Sequence, residues 1–363
     1  MIMENTMENM TRKKSKIASW FALCPAAHIV TLLSSAVIAL HLALRGDHAL
    51  MARISENAVR PVHAALAVLN SHVGFSVAEV LIVITAAAVL ARLVYGLVRL
   101  LRGKSSLRRA YRLVMGLAAL ALAVYAGFSL LWGVYYYGDD FMAKSGLDSS
   151  PVSTEQLETV TEYFARLANR YGDEVERNAD GFYVCDRDAI LARSPSLFDN
   201  TVGDFPCLDG PRVAAKGVWL SRGMSYIDFT GFFFPFTGEA NVNTDFPPCH
   251  FAATVAHELS HQRGVAKEQE ANFVAVLASL RSGDADFCYS AAVLAYVHLG
   301  NALYSADHAA WERVYGTLSD GVKRDLALNN AYWRQFETPV QRVSNTVYEG
   351  FLHSYDQTLG LKS

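Results

Sequence analysis

His257, Glu258 and His261 carry the clearest chemical signal in the chain. They stand in the stretch Thr254-Val-Ala-His-Glu-Leu-Ser-His261. On a helix, residues four apart share one face, a turn from each other. Two imidazoles so placed can bind one Zn²⁺ and leave room for a third protein ligand and a water. Glu258, directly after the first histidine, is then the general base that takes a proton from that water. The pattern fixes only three letters, so its context matters. Thr254 and Val255 make an uncharged approach, and Leu259 and Ser260 keep charge out of the middle. Arg263 departs from the apolar residue expected there.

A third ligand should follow a break. Gly264 is where the motif helix should end, and Val-Ala-Lys-Glu-Gln-Glu-Ala-Asn-Phe273 starts a second helical pattern. Glu268 and Asn272 are again four apart. Glu268 is read as the third zinc ligand, and Asn272 as the group whose oxygen accepts the free N–H of a ligating histidine. Glu270 lies about 200° round the helix from Glu268, so only one of them can face the metal. Glu270 stays open as the alternative ligand, and an acid in a first turn is also favoured by the helix dipole alone.

Other elements must position substrate and stabilise charge. Alternation over Gly238, Glu239, Ala240, Asn241, Val242 and Asn243 predicts a strand, expected to be an edge that pairs with an extended peptide backbone. Pro247-Pro248 separates it from the motif helix. A donor to the oxyanion of the tetrahedral intermediate should come from the C-terminal helices. Tyr348, His353 and Tyr355 are the candidates, with His298 and Tyr296 behind them. Helices are expected at about 287–303, 307–316, 319–335 and 338–354, and a capping box, Ser153 with Gln156, opens another that runs to about Tyr171.

Charge divides the chain of 363 residues in two. Residues 1–137 hold 14 Lys+Arg against 5 Asp+Glu, and residues 138–363 hold 18 against 30. The first part also holds three long apolar runs, at about 20–44, 77–98 and 113–136, read as membrane spans. Ala58 to Val73 reads as an amphipathic helix lying in the interface, and Trp132 with Tyr135, Tyr136 and Tyr137 as an aromatic belt. Arg12, Lys13, Lys14 and Lys16 precede the first run, and Arg99, Arg102, Lys104, Arg108, Arg109 and Arg112 lie between the second and third. The positive-inside rule therefore puts the N-terminus in the cytoplasm and everything after residue 137 outside it. The acidic second part has no basic-aromatic stripe, which argues against nucleic acid. Its four cysteines, Cys185, Cys207, Cys249 and Cys288, suit an oxidising compartment, with Cys185–Cys207 and Cys249–Cys288 as the expected pairs and free thiols as the alternative.

The whole pattern resembles a bacterial family of membrane proteins without assigned function, placed in the clan of HExxH metallopeptidases. The resemblance rests on the three spans, Pro235-Phe-Thr-Gly-Glu-Ala-Asn-Val-Asn243, His257-Glu-Leu-Ser-His261-Gln-Arg-Gly264 and Glu268-Gln-Glu-Ala-Asn-Phe273. The last block is similar to the Glu-x-x-Ala-Asp element of gluzincins, in which the glutamate binds zinc and the aspartate orients a histidine. That resemblance favours Glu268 over Glu270, although Asn272 replaces the aspartate. It implies a membrane-anchored protein with three N-terminal transmembrane helices. A mainly α (α+β), zincin-like domain with a small sheet and an HExxH helix would follow them. The expected activity is zinc-dependent hydrolysis of peptide bonds in a cell-envelope peptide or protein, on the extracytoplasmic side of the bilayer. The alternative is a non-catalytic zinc-binding or ligand-sensing envelope protein on the same fold.

Overall fold

The computed structural model describes residues 19–102 and 106–357. Arg12, Lys13, Lys14, Lys16 and Lys104, on which the expected orientation partly rests, lie outside the described residues. The order begins α1 (Pro25–Leu44), α2 (His48–Ile54), a π-turn (Ser55–Val59), α3 (Arg60–Ser71), α4 (Val77–Leu101), α5 (Ser106–Leu131) and a 3-10 turn (Gly133–Tyr137). It continues with α6 (Phe141–Ser145), α7 (Thr154–Glu174), α8 (Arg187–Arg193), β1 (Lys216–Val218), α9 (Ser221–Tyr226), β2 (Gly231–Phe234) and β3 (Glu239–Asn243). Six helices close it: α10 (Phe251–Gln262), α11 (Glu268–Ser282), α12 (Ala285–Ala306), α13 (His308–Gly316), α14 (Asp320–Arg334) and α15 (Pro339–Ser354).

The described residues fall into two units, one drawn from 19–47 and 80–131 and one from 48–79 and 132–357. In the first unit α1 packs against α5. Pro25–Leu44, Val77–Leu101 and Leu107–Leu131 are each long and apolar enough to cross a membrane. Their leucines point outward, Leu32 at 72% exposure and Leu90 at 63%, as side chains facing lipid would.

The second unit begins earlier than a cut at residue 137 would allow. Met51, Ser55, Val59, His63 and Ala67 form a buried stripe with a spacing of four. A spacing of four slips round an ordinary helix of 3.6 residues per turn, and the wide π-turn at Ser55–Val59 takes up part of that slip. The segment expected to lie flat in a membrane interface is therefore folded into this unit, with α3 against β3. The expected aromatic belt is absorbed as well. The third long helix ends at Leu131, and Trp132, Val134, Tyr135 and Tyr137 are buried in the second unit. An aromatic ring with a polar handle suits either setting, provided the handle finds a partner. Trp132 Nε1 donates to the Tyr136 hydroxyl at 3.1 Å.

One core gathers α8, the sheet, α10 and α11 around Phe246, Phe251, Val255, Leu259 and Phe287. Another lies among α7, α12, α13 and α14 around Tyr183, Tyr289, Val293 and Val322. The capping box at Ser153 and Gln156 forms at the start of α7.

The sheet has the order β1-β3-β2, with β1 parallel and β2 antiparallel to β3. β3 is thus the central strand, and the expectation that residues 238–243 form a substrate-pairing edge is corrected. Its polar side chains are engaged inside the fold. The Gly238 carbonyl accepts from Gln262 Nε2 at 2.7 Å. Asn241 Oδ1 accepts from Ser76 Oγ at 2.6 Å, and Asn243 Nδ2 donates to Ser225 Oγ at 2.9 Å. Ala240 and Val242 are buried beneath them.

Glu239 acts as a socket. Its carboxylate accepts the Val77 and Ala78 N–H groups at 3.1 and 2.8 Å and the Lys216 ammonium at 2.6 Å. The Glu79 carboxylate answers by accepting Trp219 N–H at 2.9 Å and Leu220 N–H at 2.7 Å. Replacing Glu239 by glutamine should remove the charge that faces Lys216, whose nearly buried ammonium would keep only neutral acceptors, the Asn70 and Phe75 carbonyls among them. Removing one partner of a buried pair costs about 3–5 kcal/mol, so the denaturation midpoint of this unit should fall clearly. An unchanged midpoint would show that the socket contributes nothing to stability.

The expected disulfides are not formed: Cys185, Cys207, Cys249 and Cys288 are thiols, as is Cys24. The Cys249 thiol contacts the Asp325 carbonyl at 3.8 Å, whereas Cys288 contacts the Ser279 carbonyl at 3.3 Å. Each is taken up by a different helix, not by the other cysteine.

Candidate metal centre

Small side chains let α10 sit inside the unit. Ala252, Ala253 and Ala256 are fully buried together with Phe251, Val255 and Leu259. The helix stops where Gly264 takes a φ of 86°, a conformation that favours glycine. The reversal brings the Val265 carbonyl back to His261 Nδ1 at 2.7 Å. It also starts α11 at Glu268, next to the motif histidines.

His257, His261 and Glu268 converge, with one ligand atom from each lying within 4.8 Å of the others. Glu268 Oε2 is 3.1 Å from His257 Nε2 and 3.6 Å from His261 Nε2. The opposite ring nitrogens are both occupied. A carbonyl only accepts, so His261 Nδ1 carries a proton for Val265. His257 Nδ1 faces Asn272 Oδ1 at 2.8 Å, the contact expected of Asn272. In the neutral rings both Nε2 atoms therefore turn lone pairs toward a carboxylate oxygen. Three electron-pair donors gathered in this way require a positive charge among them. Without a metal that charge is a proton. Burial disfavours charge on His261, but the Glu268 carboxylate outweighs it and lifts the imidazole to about 9. Burial would raise the Glu268 carboxyl, yet His261 and His257 hold it well below the usual range. Two imidazole nitrogens and one carboxylate are also a donor set that suits Zn²⁺.

Glu270, the alternative ligand, faces elsewhere. Its carboxylate accepts the N–H groups of Phe141 and Met142 at 2.9 and 3.3 Å, fixing the start of α6.

Glu258 lies beside the cluster, on the flank of β2. Burial pushes its carboxyl up to about 7, against the opposing influence of His257 and His261. The Phe233 N–H donates to this carboxylate, while Oε2 is buried with no hydrogen-bond partner among the described residues. Gly231 makes the approach possible, because a Cβ there would stand 2.5 Å from Glu258 Oε1. β2, not β3, is the edge strand next to the motif helix.

Of the three oxyanion candidates, one is at the centre. The Tyr348 hydroxyl donates to Glu268 Oε1 at 3.2 Å, and burial together with Glu268 raises its pKa far above the ordinary phenol value. His353 is exposed on the last turn of α15. Tyr355 packs on the Tyr136 ring, 5.5 Å between centroids. Among the reserve candidates, Tyr296 belongs to the second core. Burial and the His257 charge lower the His298 imidazole.

Two residues of the expected aromatic belt stand at the centre instead. Trp132 stands edge-on to the His261 ring at 5.7 Å, and Tyr136 is close enough for the Glu268 charge, after burial, to raise its phenol. No local spacing signals either role.

No curated protein and no solved structure matches the chain. The profile of a family described as a protein of unknown function, DUF3810, matches residues 55–363. The match starts at Ser55, inside the buried stripe of α2 and α3, and takes in α4, α5 and all residues of the candidate metal centre. The chain belongs to the DUF3810 family.

Proposed function

We propose that this protein is a membrane-anchored zinc peptidase of the HExxH, gluzincin-like type, acting on a peptide or protein of the cell envelope from the extracytoplasmic side. The observation that carries the proposal is the convergence of His257 Nε2, His261 Nε2 and Glu268 Oε2 with both Nδ1 atoms already engaged. These three residues would hold the ion, with Asn272 and the Val265 carbonyl orienting the rings. Zinc bound there supplies Lewis acidity, which acidifies water and polarises a carbonyl.

The remaining work falls to the chain's own groups. Glu258 would take a proton from water at its unpartnered Oε2 and give it to the leaving amine. Tyr348 keeps Glu268 oriented, and its O–H would have to turn from Glu268 Oε1 to donate to a developing negative charge. The outer edge of β2 would offer the Gly231 backbone and the Phe233 carbonyl to an extended substrate, the role that β3 cannot take.

Zinc analysis of the detergent-purified protein, alongside a chelator-sensitive assay on a mixed peptide library, tests this reading. About one zinc per chain and hydrolysis lost on chelation are expected. Zinc without hydrolysis across the library would favour a binding or sensing role, and no zinc after metal is supplied would remove the peptidase reading.

Metal uptake should also depend on pH. The metal-free His261 is charged below about pH 9, so an incoming cation must displace that proton. Zinc affinity should weaken about tenfold for each unit that pH falls below that point. Competition against a chelator of known pH dependence checks it, and a flat profile between pH 6 and 9 would contradict the proton count.

A further inference from the structure

We infer that Phe75, Trp219 and Leu220 form an interfacial anchor that enters the headgroup layer of a phospholipid bilayer. This anchor does not depend on the metal centre. The three side chains are exposed, at 40%, 70% and 57%. The rings of Phe75 and Trp219 stack at 5.4 Å, so they present one apolar surface. Scattered exposed apolar residues are ordinary, but the backbone that carries these three is held in place. Glu79, itself buried, holds the Trp219 and Leu220 N–H groups, and Lys216 Nζ donates to the Phe75 carbonyl at 2.9 Å.

The same bonds say what covers the surface. Glu79 is in the first turn of α4, whose 25 residues have a mean hydropathy of 2.3 in their most apolar window. Val77 and Ala78, the first residues of that helix, are fastened to Glu239. Phe75, Trp219 and Leu220 are thus pinned within about one turn of the point where an apolar, membrane-length helix begins. A bilayer that takes up α4 has its headgroup region at that level, where tryptophan is favoured for its apolar body and its N–H. By contrast, Phe232, Phe233 and Phe234 of β2 are only partly exposed. Phe232 and Phe234 pack together, and Phe233 lies against Trp132.

The test uses the full chain in phosphatidylcholine–phosphatidylglycerol vesicles whose lipids carry bromine at a shallow or a deep acyl position. Wild-type tryptophan emission is compared with that of Trp219→Phe. Wild type, which has five tryptophans, should show lipid quenching that Trp219→Phe lacks, larger with shallow than with deep bromine. Leu220→Trp, made independently, should add a further shallow-quenched component. Equal lipid quenching in wild type and Trp219→Phe, with none added by Leu220→Trp, would overturn the anchor. In that case quenching of Trp219 by aqueous iodide would mean open solvent, and quenching by neither agent would mean a second copy of the chain on this surface.

Discussion

Zinc should fall from about one ion per chain to background in His261→Ala, and its affinity should drop at least about a hundredfold in Glu268→Ala, while Glu270→Gln keeps it. Changing even an outer partner of a metal ligand costs about 10–100-fold in affinity, so removing a ligand must cost more. Asn272→Ala belongs in that milder range, because it frees His257 Nδ1 without removing a donor. Glu270 separates the two ligand assignments that residue spacing left open. Its carboxylate accepts from Phe141 and Met142 N–H, so Glu270→Gln should loosen the start of α6 and leave the metal in place. Zinc retained by Glu268→Ala and lost from Glu270→Gln would reverse the assignment. Metal analysis after dialysis against a weak chelator distinguishes these results, and it does so whether or not a substrate is known.

Local spacing made much of this site legible. The i, i+4 pairs His257–His261 and Glu268–Asn272, the helix end at Gly264 and the capping box at Ser153 are each written within a few residues. So are three apolar runs, although the third ends at Leu131, several residues before the aromatics that seemed to close it. What was not legible depends on partners far away in the chain. Asn241 and Asn243 alternate with Ala240 and Val242 as in a half-exposed edge strand, yet Ser76 and Ser225 satisfy them in the interior. A buried asparagine with its hydrogen bonds made has the same sequence signature as an exposed one. Trp132 and Tyr136 meet the requirements of a membrane interface and of a buried site equally well, and only the fold chooses between them. An even number of cysteines likewise permits pairing without causing it, and Cys249 and Cys288 found carbonyl partners on different elements. Ala58 to Val73 was legible as an amphipathic helix, but not that its Val59, His63 and Ala67 continue a buried stripe from Met51 and Ser55 through a π-turn.

Hydrolysis should be abolished in Glu258→Gln, and Gly231→Ala should reproduce much of that loss without touching any group that does chemistry. Loss of a positioned general base costs about 10²–10⁴-fold in rate, and an amide of nearly the same shape cannot take the proton. Glu258 does not bind the ion in the proposed site, so zinc should remain. Gly231 is the sterner check on the geometry. A Cβ there would stand 2.5 Å from Glu258 Oε1, 2.7 Å from Cγ and 2.8 Å from Cδ, closer than real contacts allow. The carboxylate must then move, and a misplacement of about 1 Å can cost a hundredfold in rate. Alanine is acceptable to the β2 backbone itself, because Gly231 has no positive φ. The expected result for Gly231→Ala is therefore a lower kcat with zinc kept and the fold intact. Wild-type rates in both variants with zinc bound would remove Glu258 as the base. Loss in Glu258→Gln alone would mean that β2 yields, and that the carboxylate is held less rigidly by Phe233 and Gly231 than the packing implies.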